Sequence, residues 1–124
     1  TVEAILAQRL ARRICSQCRE PAEISDDHLY ELQMKREDVE KITFYRGRGC
    51  EACNNTGYKG RVGIFELMIM NDELRDMIMA NAATDEVRAK AETYGMVTLR
   101  TAGLKLAREG TTSIDEVIRE TVVE

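Results

Sequence analysis

Four cysteines in two C-x-x-C pairs, Cys15/Cys18 and Cys50/Cys53, constrain this chain more than any other feature. Each pair presents two thiols from one tight turn. Two such turns facing each other give the tetrahedral sulfur shell that Zn2+ prefers. The 31 residues between the pairs (19–49) exceed the common ribbon spacing of about 15 to 20. Loop-closure cost grows only logarithmically with length, so an insert that folds on itself is tolerated. A closed four-sulfur set leaves no open coordination position, which argues for a structural metal and against a catalytic one. Three other chemistries remain open. Two disulfides need an oxidising compartment. A C-x-x-C redox site needs only one pair, at the start of a helix. An iron–sulfur cluster also takes four thiolates. His28, ten residues beyond Cys18, reads as a surface or packing residue on a helix.

The spacing of Val2, Ile5, Leu6, Leu10 and Ile14 predicts an amphipathic helix over residues 2–14 that aims the first cysteine turn. The chain opens Thr1-Val2-Glu3-Ala4 without an initiator Met, inside that expected helix, and is read as a piece of a longer protein. Residues 15–60 are expected to form the clipped module. In it Ser25 caps a helix running to about Gln33, with Asp26 and Asp27 in its first turn. Residues 42–47, ITFYRG, read as a strand. Gly49, Gly57 and Gly60 give the second cysteine turn backbone angles that side chains forbid. Residues 62–68, VGIFELM, read as a further strand, pairing with 42–47 or joining a neighbouring sheet.

The remainder is punctuated as short helices. Asn71 or Asp72, Thr84 and Thr98 open three of them, and Ser113-Ile114-Asp115-Glu116 reads as a capping box that opens the last. The fold class expected is mainly α with a small β element: a zinc-clipped module of two C-x-x-C knuckles, short strands and one helix, then a small C-terminal helical bundle. The domain reading is 1–14 helix, 15–60 tetracysteine module and 61–124 strand and bundle. Met68, Met70, Met77 and Met79 read as core at the junction of strand and bundle.

Catalytic residues are absent from this reading. No G-x-x-x-x-G-K-[ST] phosphate cradle occurs, and the single histidine has no partner set. The paired acids Asp26-Asp27 and Asp115-Glu116 sit at helix starts, where capping explains them. A net charge of −4 argues against a chain that coats nucleic acid or an anionic membrane. No apolar run approaches the roughly 20 residues that span a bilayer. Arg9, Arg12 and Arg13 share one face of the expected first helix and, with Arg19, suit phosphates, an acidic partner or the module's own acids. The competing reading is a zinc-ribbon nucleic-acid binder using Arg9, Arg12, Arg13, Arg19, Arg46, Arg48, Lys59 and Arg61. Two Phe and no Trp leave it little for base stacking.

Three stretches carry a resemblance that covers nearly the whole chain: AQRLARRICSQCREP, GRGCEACNNTGYKGRVGIFELM and GMVTLRTAGLKLAREGTTSIDEVIRET. Together they resemble the C-terminal part of the type II secretion and type IV pilus assembly ATPases. The matching elements are Gln8-Arg9-Leu10 before the first pair, Thr56 to Arg61 after the second, Glu66-Leu67, Gly95 to Leu99 and Thr111 to Val117. The resemblance implies a cytoplasmic homo-hexameric motor that hydrolyses ATP with Mg2+. It also implies an inner-membrane platform protein as partner, and attachment to the membrane only through partners. The nucleotide-binding motifs of that family lie upstream of a segment like this one, so no ATP site is expected here. Cys15, Cys18, Cys50 and Cys53 are the expected zinc ligands, and the expected task is contact with neighbouring subunits or the platform.

Overall fold

The computed structural model describes residues 3–122; Thr1, Val2, Val123 and Glu124 lie outside the described residues. The chain opens with an eleven-residue strand, not a helix. β1 (Ala4–Ile14) pairs antiparallel with β4 (Tyr58–Ile69), from Ala4 opposite Ile69 to Ile14 opposite Tyr58. The expected helix over 2–14 is therefore overturned over its described part. Ala, Leu, Arg and Gln favour helix by a few tenths of a kcal/mol each, which is a weak prior against tertiary pairing. β4 supplies that pairing: it is rich in Val, Ile, Phe and Tyr, which suit a pleated surface. Leu6 and Leu10, members of the helical spacing, are 61% and 51% exposed, so the spacing marks no buried helical stripe.

The insert between β1 and β4 begins at the first cysteine pair. β2 (Arg19–Ala22) pairs antiparallel with β3 (Phe44–Gly47). Between them lie α1 (Asp26–Leu32) and the one-turn α2 (Arg36–Val39). Ser25 caps α1 as expected: its hydroxyl accepts the His28 N–H, and His28 Nδ1 accepts the Ser25 N–H in return. Of the two placements expected for 62–68, pairing with 42–47 does not form and membership of another sheet does, because each strand has its own partner in a separate two-stranded sheet.

Four helices follow β4: α3 (Asp72–Met79), α4 (Thr84–Thr93), α5 (Leu99–Arg108) and α6 (Ile114–Glu120). Asn71, Thr98 and Ser113 each accept a backbone N–H at their helix start. The helix Thr84 was expected to cap instead starts on Thr84, with Ala83 in the cap position and no side-chain cap bond.

Helices take up 41% and strands 26% of the described residues. The mainly-α expectation is thereby corrected: two long strands stand where one helix and one short strand were expected. The helices also divide between two cores. α3 and α4 bury Leu74, Val87 and Ala91 against Met68, Met70, Met77 and Met96. Met79, expected among that core, is 82% exposed. The second core joins Leu29, Leu32, Val39 and Phe44 of the insert to Ala107, Ile114 and Val117 of α5 and α6. The insert and the last two helices thus share one apolar interior.

A polar brace fixes α6 to β1. Glu116 is buried, and its carboxylate accepts from the Arg12 backbone N–H (2.8 Å), Nε (3.0 Å) and Nη2 (2.7 Å). The Arg12 guanidinium also stacks 4.1 Å over the Tyr58 ring, and the Tyr58 hydroxyl meets Ser113 Oγ at 2.7 Å. Only half of the expected capping box forms. Ser113 caps the Glu116 N–H, but the Glu116 side chain is drawn to Arg12. Burial pushes the Glu116 carboxyl up; the Arg12 hydrogen bonds and charge outweigh it and hold it below the usual carboxylate range. A carboxylate depressed in the fold adds stability above its unfolded value of about 4.3, and that stability is lost as pH falls through the folded value. Glu116→Gln is expected to cost about 1–2 kcal/mol at pH 7, at the low end because Arg12 is partly solvated. Urea melts of the two proteins should converge as pH drops below 4; a difference that persists in acid would contradict the charged brace.

Candidate metal centre

Ladder register brings the two cysteine turns together. Ile14, the last residue of β1, pairs with Tyr58, the first of β4. Cys15 follows directly, and its N–H continues the ladder to the Gly57 carbonyl at 2.9 Å. The turns are alike: the Cys18 N–H donates to the Cys15 carbonyl, and the Cys53 N–H to the Cys50 carbonyl, both at 3.3 Å. The second turn contains one turn of 3-10 helix, Glu51–Cys53.

The four sulfurs lie within 4.8 Å of one another. Cys15 Sγ is 3.7 Å from Cys50 Sγ, which is 3.7 Å from Cys53 Sγ, and Cys18 Sγ is 3.8 Å from Cys53 Sγ. No disulfide joins the four cysteines. Zn–S bonds of about 2.3 Å place tetrahedral sulfurs about 3.8 Å apart. The observed edges match that figure and far exceed the roughly 2.05 Å of a disulfide. The four cysteines can therefore hold a metal ion.

Backbone N–H groups point at the sulfurs. Gly49 donates to Cys18 Sγ (3.3 Å), and Cys50 and Gly57 both donate to Cys53 Sγ (3.3 and 3.2 Å). These bonds favour thiolate, the metal-ligating form. Burial pushes the Cys53 thiol up, but the Cys50 and Gly57 N–H groups, helped by neighbouring thiols, bring it down to about 6. At Cys18 burial wins over the single Gly49 N–H and lifts the thiol to about 11.

Gly57 has φ +84°, as expected for a glycine shaping the turn, but the closest backbone approach was not legible from conformation alone. A Cβ on Gly47 would lie 1.9 Å from the Gly57 carbonyl oxygen, and one on Gly57 would lie 2.4 Å from the Gly47 oxygen. The end of β3 and the second cysteine turn touch backbone to backbone. Thr56 locks the same corner: its hydroxyl donates to the Cys53 carbonyl at 2.7 Å and accepts the Tyr58 N–H at 3.2 Å. In sequence, Gly47 in Arg46-Gly47-Arg48-Gly49 was the available sign of this contact.

The other singled-out residues fall elsewhere. His28 stands apart from the cluster and meets Asp115 through Nε2 at 2.8 Å. Arg9, Arg12 and Arg13 form no helical face, because they lie on a strand. Arg12 is taken up by Glu116 and Arg46 by Glu20. Arg19 donates to the Gly110 carbonyl and lies 5.7 Å from the Tyr45 ring centre.

Fold and site together define a tetracysteine knuckle insert carried on a two-stranded ribbon and backed by a helical tail. The model of the family described as "Type II/IV secretion system protein" matches residues 1–119, and the chain belongs to that family. It is 42% identical to the type IV pilus assembly ATPase PilB of Acinetobacter baylyi, over 98% of this chain and 21% of that protein. It is 38% identical to PilB of Thermus thermophilus, over 95% of this chain and 13% of that protein. It is 38% identical to the type II secretion system ATPase E of Vibrio cholerae, over 94% and 23%. The chain spans less than a quarter of the length of these curated relatives.

The backbone contact at Gly47 yields a sharp expectation. Gly47→Ala should cost at least about 3 kcal/mol, the range of severe overpacking, and lower metal content with it. Ala at Gly95, where an added Cβ meets nothing within 4 Å but φ is +95°, should cost about 1 kcal/mol and leave metal content unchanged. Thermal melts with elemental analysis compare the two; equal losses would remove the special role of Gly47.

Proposed function

We propose that Cys15, Cys18, Cys50 and Cys53 hold one structural zinc ion, and that the chain serves a longer secretion or pilus assembly ATPase as its zinc-clipped interaction region. The observation that carries the metal reading is the set of sulfur separations, 3.7–3.8 Å along three edges, with backbone N–H groups on two of the sulfurs. The metal supplies a cross-link between the end of β1 and the start of β4. In zinc modules such a link contributes on the order of 10 kcal/mol to folding.

Membership of the family supports a parent that hydrolyses ATP with Mg2+ as a cytoplasmic homo-hexamer. Its partners are neighbouring subunits and an inner-membrane platform protein, which holds it at the membrane without insertion. Among the described residues no helix is long and apolar enough to cross a membrane. The catalytic groups belong to other parts of the longer protein, and this chain's share of the work is mechanical. A knuckle insert tied to the ribbon by the metal, and to α5 and α6 by a common core, moves as one piece.

The ribbon offers the surface for the rest of the motor. Leu6, Leu67, Phe65 and Ile69 share one face by strand alternation and ladder register. All are about half exposed or more. Such a contiguous apolar patch marks an interaction site, and in this reading the motor core covers it.

Elemental analysis of protein purified without a metal-affinity step should give close to one zinc per chain; no metal, or iron in its place, would defeat the zinc reading. Cys53→Ser in the full-length protein is expected to abolish metal binding and reduce pilus assembly or secretion at least tenfold, while nucleotide affinity changes less than about twofold. Collapse of nucleotide affinity with assembly intact would reverse the proposed division of labour.

A further inference from the structure

The four sulfurs differ in access and in hydrogen bonding, and the differences converge on one atom. Cys15, Cys18 and Cys53 are 1%, 4% and 5% exposed, whereas Cys50 is only partly buried and forms the rim of the cluster. Cys18 Sγ accepts one backbone N–H and Cys53 Sγ two. Cys50 Sγ faces the Cys53 N–H of its own turn, outside the short contacts that Cys18 and Cys53 receive. An N–H donor stabilises a thiolate and lowers its nucleophilicity. Cys50 is therefore the one sulfur-bearing residue of the four that is not buried, and it receives none of the short N–H contacts of 3.2–3.3 Å that hold Cys18 and Cys53.

We propose that Cys50 is a modification site, where a peroxide-class oxidant enters the cluster, and that Cys15 closes a disulfide with it. The proposal rests on the metal-site reading, since loss of the two sulfurs ends metal retention. In the first step the Cys50 thiolate attacks one peroxide oxygen. The S–O bond forms, the O–O bond breaks, hydroxide leaves, and the sulfur is oxidised to a sulfenic acid by two electrons. In the second step a neighbouring thiolate attacks the Cys50 sulfur; an S–S bond forms, the S–O bond breaks and a second hydroxide leaves.

Geometry offers two candidates for the second step, Cys15 and Cys53, both with Sγ 3.7 Å from Cys50 Sγ. Cys53 is held by two N–H donors, and Cys15 by none. Cys15 is also the more enclosed, so a neighbouring sulfur, rather than solvent, is its available reactant. The product links the two knuckles covalently and leaves only Cys18 and Cys53, half of a four-sulfur shell. The short N–H contacts from Gly49, Cys50 and Gly57 thus hold the Cys18–Cys53 edge of the cluster and leave the Cys15–Cys50 edge to react. Oxidation exchanges a metal cross-link between β1 and β4 for a disulfide between the same two turns.

The test uses the metal-loaded chain and hydrogen peroxide. Metal content is measured before any oxidant is added; a metal-free preparation overturns the metal-site reading by itself. Loaded protein is then treated with limiting peroxide in the presence of a chromogenic zinc chelator, and samples are quenched by alkylation and mapped by mass spectrometry. Cys50 is expected to be modified on the order of tenfold faster than Cys18 or Cys53, with a Cys15–Cys50 disulfide as the main product and metal release in step with it. Limiting iodoacetamide, which needs no second cysteine, should label Cys50 first by the same margin. Equal labelling of the four, first reaction at Cys18 or Cys53, or a Cys50–Cys53 disulfide as the main product would overturn the assignment even where the metal is present.

Discussion

The pairing of β1 with β4 is the constraint on which the rest of the molecule depends. Its register sets Ile14 against Tyr58, and the next ladder bond, from the Cys15 N–H to the Gly57 carbonyl, already belongs to the cysteine cluster. One residue of slip would carry every side chain of the ribbon to the opposite face. It would withdraw Ala11 and Ile64, which are buried at 0% and 1% exposure, and pull the two cysteine turns apart. The 43 residues between Ile14 and Tyr58 are free to form their own small sheet and helices because the ribbon has already brought their ends together.

The far side of that insert is held by packing. Leu29, Leu32, Val39 and Phe44 are too few for a core of their own, and they borrow Ala107, Ile114 and Val117 from α5 and α6. The loop before α6 is in turn fastened to β1: the Ile14 N–H donates to the Thr111 carbonyl at 2.9 Å, and the Thr112 hydroxyl donates to the Arg12 carbonyl at 2.8 Å. Cluster, shared core and the Arg12–Glu116 brace thus close a ring of contacts from β1 through the insert to α6 and back. α3 and α4 stand outside this ring, joined to it by their methionine-rich core and by Glu66. That buried carboxylate accepts from Arg88 Nε at 3.4 Å and caps the Leu99 N–H at 3.0 Å. Met side chains repack at little cost, so this second core suits a junction that adjusts while the ring stays rigid.

Local chemistry made much of this legible. Ser25, Asn71, Thr98 and Ser113 act through neighbours a few residues away, and their capping could be read from spacing. β1 could not, because its identity comes from a partner more than forty residues off. Its own composition favours helix, and Leu6 and Leu10 sit at helical spacing while facing outward. Glu116 shows the same limit at smaller scale. A Ser-x-x-Glu pattern states what the two residues can do for each other, but not that Arg12, a hundred residues away, competes for the carboxylate. Gly47 is the third case: its backbone angles are ordinary, and only the approach of Gly57 explains why no side chain fits.

These long-range contacts bear on how firmly the insert is held. A module fastened at a single point pivots about it, whatever the strength of that fastening. Here the strand ladder and the two cysteine turns hold the ribbon end and the apolar core holds the opposite end, at separate places and by different physics. Hydrophobic burial weakens with cooling and with denaturant, whereas thiolate–metal bonds weaken with acid and chelators. Loss of the shared core alone would leave the insert tethered at the cysteine turns and free to swing about them. Stiffness, rather than mere folding, is the property that requires both.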